Sequence, residues 1–142
     1  MSATHSESAI VITGAGPVGL FAALLLVDAG HRVLVLERNG GLARDMRAST
    51  FHAATLDLLS PVGLDDLLVA CGSITSAWQY MVHGTKNHAV FDMELIRDAT
   101  GHPYRLQCEQ FYFTSLALKK LTDNPLFEIR FDHELTGLEQ VP

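Results

Sequence analysis

The stretch Ile10-Val11-Ile12-Thr13-Gly14-Ala15-Gly16-Pro17-Val18-Gly19-Leu20 constrains this chain more than any other. It reads as a strand, a tight turn and the start of a helix. Residues 9–12 are apolar and mostly β-branched, which suits a strand buried on both faces of a parallel sheet. Gly14, Gly16 and Gly19 follow in the spacing G-x-G-x-x-G. In that spacing the first glycine opens the turn, the second lets a pyrophosphate come up to the backbone, and the third lets helix and sheet approach closely. Pro17 fits a first helical turn, where its missing N–H is not needed. The unpaired amides and positive dipole end there face an anion.

Three further features stand in register with the glycines. An apolar helix runs from Leu20 to Ala29 and stops at Gly30, a left-handed cap. A second strand follows over Arg32–Leu36. Glu37 closes it, 23 positions after Gly14. A carboxylate at that place accepts hydrogen bonds from ribose hydroxyls and repels a 2′-phosphate. Residues 9–37 are therefore expected to form a βαβ dinucleotide-binding unit with parallel strands and a right-handed crossover, which sets the fold class as α/β.

Composition excludes several alternatives. The 142 residues suit one domain, and a hydrophobic fraction of 48% against 18% charged leaves ample material for a core. Net charge is −6, from 10 basic and 16 acidic residues, and no basic run occurs, so a nucleic-acid partner has no electrostatic footprint. Met1 to Ser8 is polar without lysine or arginine, unlike a signal peptide. The apolar run Leu20–Val27 is far too short for a membrane span. Cys71 and Cys108 are isolated, and the seven histidines are scattered, so no metal site is expected. Two free thiols suit a reducing, cytoplasmic setting.

Along the rest of the chain, residues 1–8 read as a frayed tail and Asn39-Gly40-Gly41 as a loop. A helix is expected from Ser49 or Thr50, with Phe51, Ala54, Leu58 and Leu59 near one face and Leu56 beside it. A short helix over Leu64–Ala70 ends at Cys71-Gly72. Strand formers from Ile74 to Val82, turn residues 83–88 and a returning strand 89–93 predict an inserted β-hairpin over about residues 73–95, in which Trp78 serves packing. Glu109–Leu121 predicts a helix with Phe111, Leu116, Leu118 and Leu121 apolar and Lys119 and Lys120 in its last turn. Asp123-Asn124-Pro125 stops it. Strands are expected over residues 127–131 and 134–139, the second leading into a turn at Val141-Pro142. A strand with no onward partner suggests the N-terminal part of a longer polypeptide, cut short at its C-terminus.

These segments together resemble the FAD-binding half of the flavoprotein aromatic hydroxylases typified by para-hydroxybenzoate hydroxylase. Glu37-Arg38-Asn39 followed by Arg47-Ala48 is similar to that family's acidic strand end, loop and arginine. Residues 51–59 with Val62-Gly63-Leu64 resemble its next helix and turn. Gln110, the helix it opens, Asn124-Pro125, the strand Phe127–Phe131 and Glu134-Leu135-Thr136-Gly137-Leu138 resemble its glutamine, helix and paired strands. The resemblance covers roughly residues 9–140. Ala54 departs from it, standing where the family often carries a basic residue, and the family's downstream Asp-Gly and Gly-Asp segments are not in these 142 residues.

The resemblance implies a Rossmann-like FAD-binding domain over residues 1–142, only part of such an enzyme, with the 73–95 hairpin at the start of its substrate-facing region. It implies an FAD-dependent monooxygenase that uses NAD(P)H and O2 to hydroxylate an aromatic or similar small molecule. The flavin carries the chemistry, so no side chain here need be a catalytic acid or nucleophile. The implied cofactor-binding residues are Gly14, Ala15, Gly16, Pro17, Val18 and Gly19 at the pyrophosphate turn, Glu37 and Arg38 at the ribose end, and Arg47 and Gln110 elsewhere on the FAD. Two rivals remain open. An NAD-dependent dehydrogenase would use the same βαβ unit, although further βα units would be expected after residue 73. A truncated, noncatalytic nucleotide-binding module would also carry it.

Overall fold

The computed structural model describes residues 9–140, and the structural statements below concern these. The tail at 1–8 and the expected turn at Val141-Pro142 lie outside them. The described residues divide into two compact units, residues 9–45 with 113–140 and residues 46–112. In chain order the elements are β1 (Ile10–Thr13), α1 (Pro17–Asp28), β2 (Val33–Leu36), β3 (Thr50–Phe51), α2 (Ala53–Leu59), α3 (Asp65–Val69), β4 (Ser73–Thr75), β5 (Ala77–Met81), β6 (His88–Asp92), β7 (Arg105–Gln107), α4 (Gln110–Thr122) and β8 (Phe127–Arg130). Single 3₁₀ turns cover Ser60–Val62 and Met93–Ile96.

The first unit is built on a parallel sheet in the order β1-β2-β8. Ile10 pairs with Val33, and Val33 pairs on its other side with Phe127. β2 is thus the central strand, and its Val33 and Val35 are fully buried. The expectation that β1 is buried on both faces is not met: Ile10 is 37% and Val11 51% exposed. Among the described residues β1 pairs only with β2, so it is an edge strand. Its apolar, β-branched composition is read correctly as strand, but composition does not report which strands flank it.

α1 is apolar on every side, yet it buries Leu20, Ala23, Leu24 and Val27. That i, i+3, i+4, i+7 set is one face of a helix. It ends as the sequence predicts, with Gly30 at φ +85°. α4 starts within one residue of expectation, but of its four named apolar residues only Leu121 is fully buried. The buried face is Phe113, Thr114, Ala117 and Leu121.

Beyond β8 the expected strand over 134–139 does not form. Asp132 adopts a left-handed conformation with φ +56°, which Asp tolerates better than most residues. Its N–H donates to Asn39 O at 3.1 Å, and the His133 N–H donates to Glu37 O at 2.9 Å. The chain therefore folds over the carboxyl end of β2 rather than running on as a ladder strand.

The second unit carries an antiparallel sheet in the order β3-β7-β4 and the separate β5–β6 hairpin. The helix expected from Ser49 or Thr50 begins later. Thr50 and Phe51 pair with Gln107 and Leu106 as strand, and α2 starts at Ala53 with His52 as its N-cap. The buried face is accordingly Ala53, Leu56 and Leu59, while Leu58 is 61% exposed. β-branched Thr50 and aromatic Phe51 suit a strand, and β7 supplies the partner. The hairpin forms, but over β5 and β6 only; Ser73–Thr75, inside its expected range, pairs with β7 instead. Trp78 lies opposite Phe91 in the register and stacks on it at 4.3 Å between centroids, with Tyr80 edge-on at 4.9 Å.

One polar cluster sits within this unit's core. His102 is buried, with its Nδ1 2.7 Å from Asp57 Oδ1 and its Nε2 3.2 Å from Asp65 Oδ2. It joins α2, α3 and the loop before β7. The hydrogen bond from His102, and then that from Thr100, hold the Asp57 carboxyl below its ordinary range. Burial pushes Asp65 up, but hydrogen bonds from Ser60, from backbone amides and from His102 together bring it below its ordinary value.

Carboxyls depressed in the folded state lend stability above their unfolded pKa and lose it as pH falls through the folded value. Asp65→Asn is expected to lower unfolding free energy at neutral pH by about 1.5–3 kcal/mol, the scale of a hydrogen bond to a charged group. The gap from the parent protein should shrink as acid protonates the native carboxyl. Chemical denaturation across an acid pH series measures it, and a gap independent of pH would contradict the assignment.

Candidate functional site

The glycine-rich turn can be taken one residue at a time. Gly14 sits at φ +95°, where a side chain is strained, and its N–H continues the ladder onto Leu36 O at 2.7 Å. A Cβ on Gly19 would run into the Gly14 carbonyl oxygen and press on the Ile12 side chain. Both glycines are therefore required by the turn itself. Gly16 is different. It caps α1 in an extended conformation, φ −77° and ψ 179°, open to any residue, and a Cβ there would meet nothing within 4 Å. Neither conformation nor neighbours demand glycine at 16.

Pro17 opens α1 as expected. Leu20 N–H already donates to Gly16 O at 3.0 Å. The Val18 and Gly19 amides precede that first intrahelical bond and have no partner within the helix. Val18 is 83% exposed.

Glu37 stands immediately after β2 and reaches back to this turn. Its Oε2 accepts from Ala15 N–H at 2.8 Å; its Oε1 accepts from Asn39 N–H at 3.0 Å and from Asn39 Nδ2 at 2.6 Å. Burial pushes this carboxyl up, but the Asn39 and Ala15 amides, the Asn39 side chain and the positive Arg38 outweigh it and leave it below its ordinary value. The charged form is favoured, and with three of about four acceptor positions used, Oε2 keeps room for one more donor. Ala15, expected to serve a pyrophosphate, donates its N–H to Glu37 here.

A cavity of about 260 Å³ opens beside this carboxylate, lined by Thr13, Gly14, Leu36, Glu37, Arg38 and the segment His133–Leu135. The sequence reading missed that segment, and no local motif marks it. It comes to the site only because β8 lies parallel to β2 and the chain turns back at Asp132. Asn39 reads as loop from the sequence, and its role as a double donor to Glu37 follows only from the loop's conformation.

Arg47 and Gln110 belong to the second unit. Arg47 is exposed in the loop before β3. Gln110 opens α4, and its N–H donates to Ala48 O, next in sequence to Arg47, at 2.9 Å.

Comparison with known proteins places this geometry. The FAD binding domain family matches residues 7–141. The chain belongs to that family. It is 30% identical over 133 residues to the 6-hydroxy-3-succinoylpyridine 3-monooxygenase of Pseudomonas putida, covering 94% of this chain and 34% of that protein. Its structure is similar to the crystal structure of p-nitrophenol 4-monooxygenase from Pseudomonas putida, with a TM-score of 0.87 and 31% identity over 94% of this chain and 34% of that one. It is also similar to the anhydrotetracycline hydroxylase of Streptomyces rimosus, with a TM-score of 0.79 and 32% identity over 94% of this chain and 26% of that one. The chain thus spans about a third or less of the length of these relatives.

The family's dinucleotide fits what is present. Open space stands at Gly16, a carboxylate with a spare acceptor position closes the next strand, and a cavity adjoins it. The separate tasks of the glycines can be tested without any ligand. Gly19→Ala is expected to destabilise the protein by about 1–3 kcal/mol through overpacking. Gly16→Ala should cost less than about 1 kcal/mol, as a helix cap change does. Thermal melts of both ligand-free variants decide it, and equal costs would contradict the assignment.

Proposed function

We propose that this chain is the N-terminal FAD-binding part of a flavin-dependent monooxygenase that uses NAD(P)H and O2 to hydroxylate an aromatic or similar small organic substrate. Gly16 carries the cofactor part of the reading. A glycine that neither its backbone nor its neighbours require is explained by a group approaching from outside, and at a helix N-terminus that group is an anion such as a pyrophosphate. The monooxygenase part rests on the relatives, which are a succinoylpyridine monooxygenase, a nitrophenol monooxygenase and an anhydrotetracycline hydroxylase.

In this reading the turn from Gly14 to Gly19 holds the pyrophosphate, with Val18 and Gly19 giving backbone N–H groups. Glu37 takes a ribose hydroxyl on Oε2. Arg38 and the cavity beside Glu37 flank the adenosine, while Arg47 and Gln110 serve the rest of the cofactor. The flavin supplies electron transfer and oxygen activation when bound, and these residues bind and orient it. The β5–β6 hairpin belongs to the start of the substrate-facing region. The antiparallel second unit, in place of further βα repeats, favours this reading over an NAD-dependent dehydrogenase. Among the described residues no helix is long and apolar enough to cross a membrane, and both cysteines are free thiols, which supports a cytoplasmic setting.

Two substitutions in the whole enzyme test the reading. Gly16→Val should abolish FAD retention, read from visible flavin absorbance after purification, while far-ultraviolet circular dichroism stays unchanged; a fully flavin-loaded variant would contradict it. Glu37→Ala should weaken FAD by about 1–3 kcal/mol in titrations of the apoprotein, the scale of a charge-assisted hydrogen bond. Unchanged affinity would remove Glu37 from the site. Aromatic compounds that stimulate NAD(P)H oxidation by the flavin-loaded parent would then narrow the substrate.

A further inference from the structure

Apart from the cofactor half-site, the second unit brings its two cysteines together. In the β4–β7 ladder Ser73 pairs with Gln107. One step further along, the same register sets Gly72 opposite Cys108, and a Cβ built on Gly72 would stand 2.8 Å from the Cys108 Cβ. Cys71 is therefore one residue from the position directly across from Cys108. Cys71 thus sits diagonal to Cys108 at the end of this ladder, and a disulfide closes only when the Cys71 Sγ swings from Leu67 O toward Cys108. Gly72 presents no side chain between them. Cys71, Gly72 and Cys108 line one cavity of about 370 Å³ with Ser49, Glu109 and Tyr112.

The two thiols differ in character. Cys71 is exposed, and its Sγ makes a weak bond to Leu67 O at 3.3 Å. Cys108 is buried. An exposed thiol meets an oxidant first, and a buried neighbour resolves the product.

We propose that Cys71 and Cys108 form a peroxide-responsive thiol pair that closes to an intramolecular disulfide at the end of the β4–β7 ladder. The oxidant is hydrogen peroxide or an organic hydroperoxide. The Cys71 sulfur attacks the peroxide oxygen, giving a sulfenic acid and one water from hydrogen peroxide. The Cys108 sulfur then attacks the Cys71 sulfur; the S–S bond forms, the S–O bond breaks, and the hydroxide leaves with the Cys108 proton as a second water. Two thiols lose two electrons and the peroxide gains them.

Burial pushes the Cys108 thiol up to about 11, with the neighbouring Cys71 and Glu109 adding to it. The closing step should accordingly quicken with pH, by close to about tenfold per unit below that value, because only the thiolate attacks.

The test treats the intact protein with a slight excess of hydrogen peroxide, quenches with a thiol-alkylating reagent and maps tryptic peptides without reduction. The expected product is residues 48–86 linked to residues 106–119, with the loss of two hydrogens. It should be absent from Cys71→Ser and from Cys108→Ala, and the latter should accumulate a sulfenic acid at Cys71 that dimedone traps. A second measurement follows the linked peptide over a pH series. Cys71 driven to sulfinic acid while Cys108 stays alkylated would overturn the proposal, as would a disulfide only between two chains or both thiols remaining free.

Discussion

The hydrogen bond from the Ala15 amide to the Glu37 carboxylate ties the glycine-rich turn after β1 to the end of β2. The parallel ladder sets the register of the two strands as far as the Gly14 N–H bond to Leu36 O. Beyond it Glu37 holds the turn, reaching across with one oxygen and gathering both Asn39 donors with the other. Its own carbonyl receives the His133 amide. One residue therefore organises the turn, the loop after β2 and the return of the chain after β8. Without this partner the buried Ala15 amide would carry a desolvation penalty of about 1–3 kcal/mol, whereas the exposed Asn39 donors would turn to water. A neutral side chain of the same size could not accept all three donors with the same strength.

What could be read in advance was what local chemistry determines. The βαβ unit was legible because each of its parts leaves a mark within a few residues: β-branched runs, the glycine spacing, Pro17 at the helix start and Gly30 at its end. The hairpin strands were legible for the same reason. What failed depended on partners distant in sequence. Thr50 and Phe51 become strand because Gln107 and Leu106 lie beside them. β7 itself, three residues of mixed character, was invisible without its neighbours. β1 is exposed because it is an edge strand among the described residues, and residues 134–139 leave the ladder because Asp132 turns the chain at φ +56°.

The same division holds at the site. Gly14 and Glu37 could be named from spacing, and the structure brings them to one cavity. Gln110 and Arg47 could be named only through family likeness, since neither stands in a motif of its own. His133, Glu134 and Leu135 had no signal, since their place depends on a strand pairing across about ninety residues. The cluster of Asp57 with the buried His102 and Asp65 was equally silent. Its members are 45 and 37 positions from the histidine, with no spacing that favours one partner over another.

Separating the three glycines changes what the motif can be taken to mean. If all three were explained by the turn, the pattern would report a way of folding and say nothing of a ligand. Gly14 and Gly19 are of that kind, one through its backbone angle and the other through the Gly14 carbonyl that faces it. Gly16 is not, because a side chain there would be unstrained and would touch nothing. The folded chain therefore offers no reason of its own for the residue. The partner that would supply the reason must come close to backbone amides at a helix N-terminus, carry negative charge, and extend toward a carboxylate with an acceptor position to spare. In the proposed reading a dinucleotide would meet these requirements along a single molecule, its pyrophosphate at Gly16 before the positive dipole end of α1 and its ribose at Glu37.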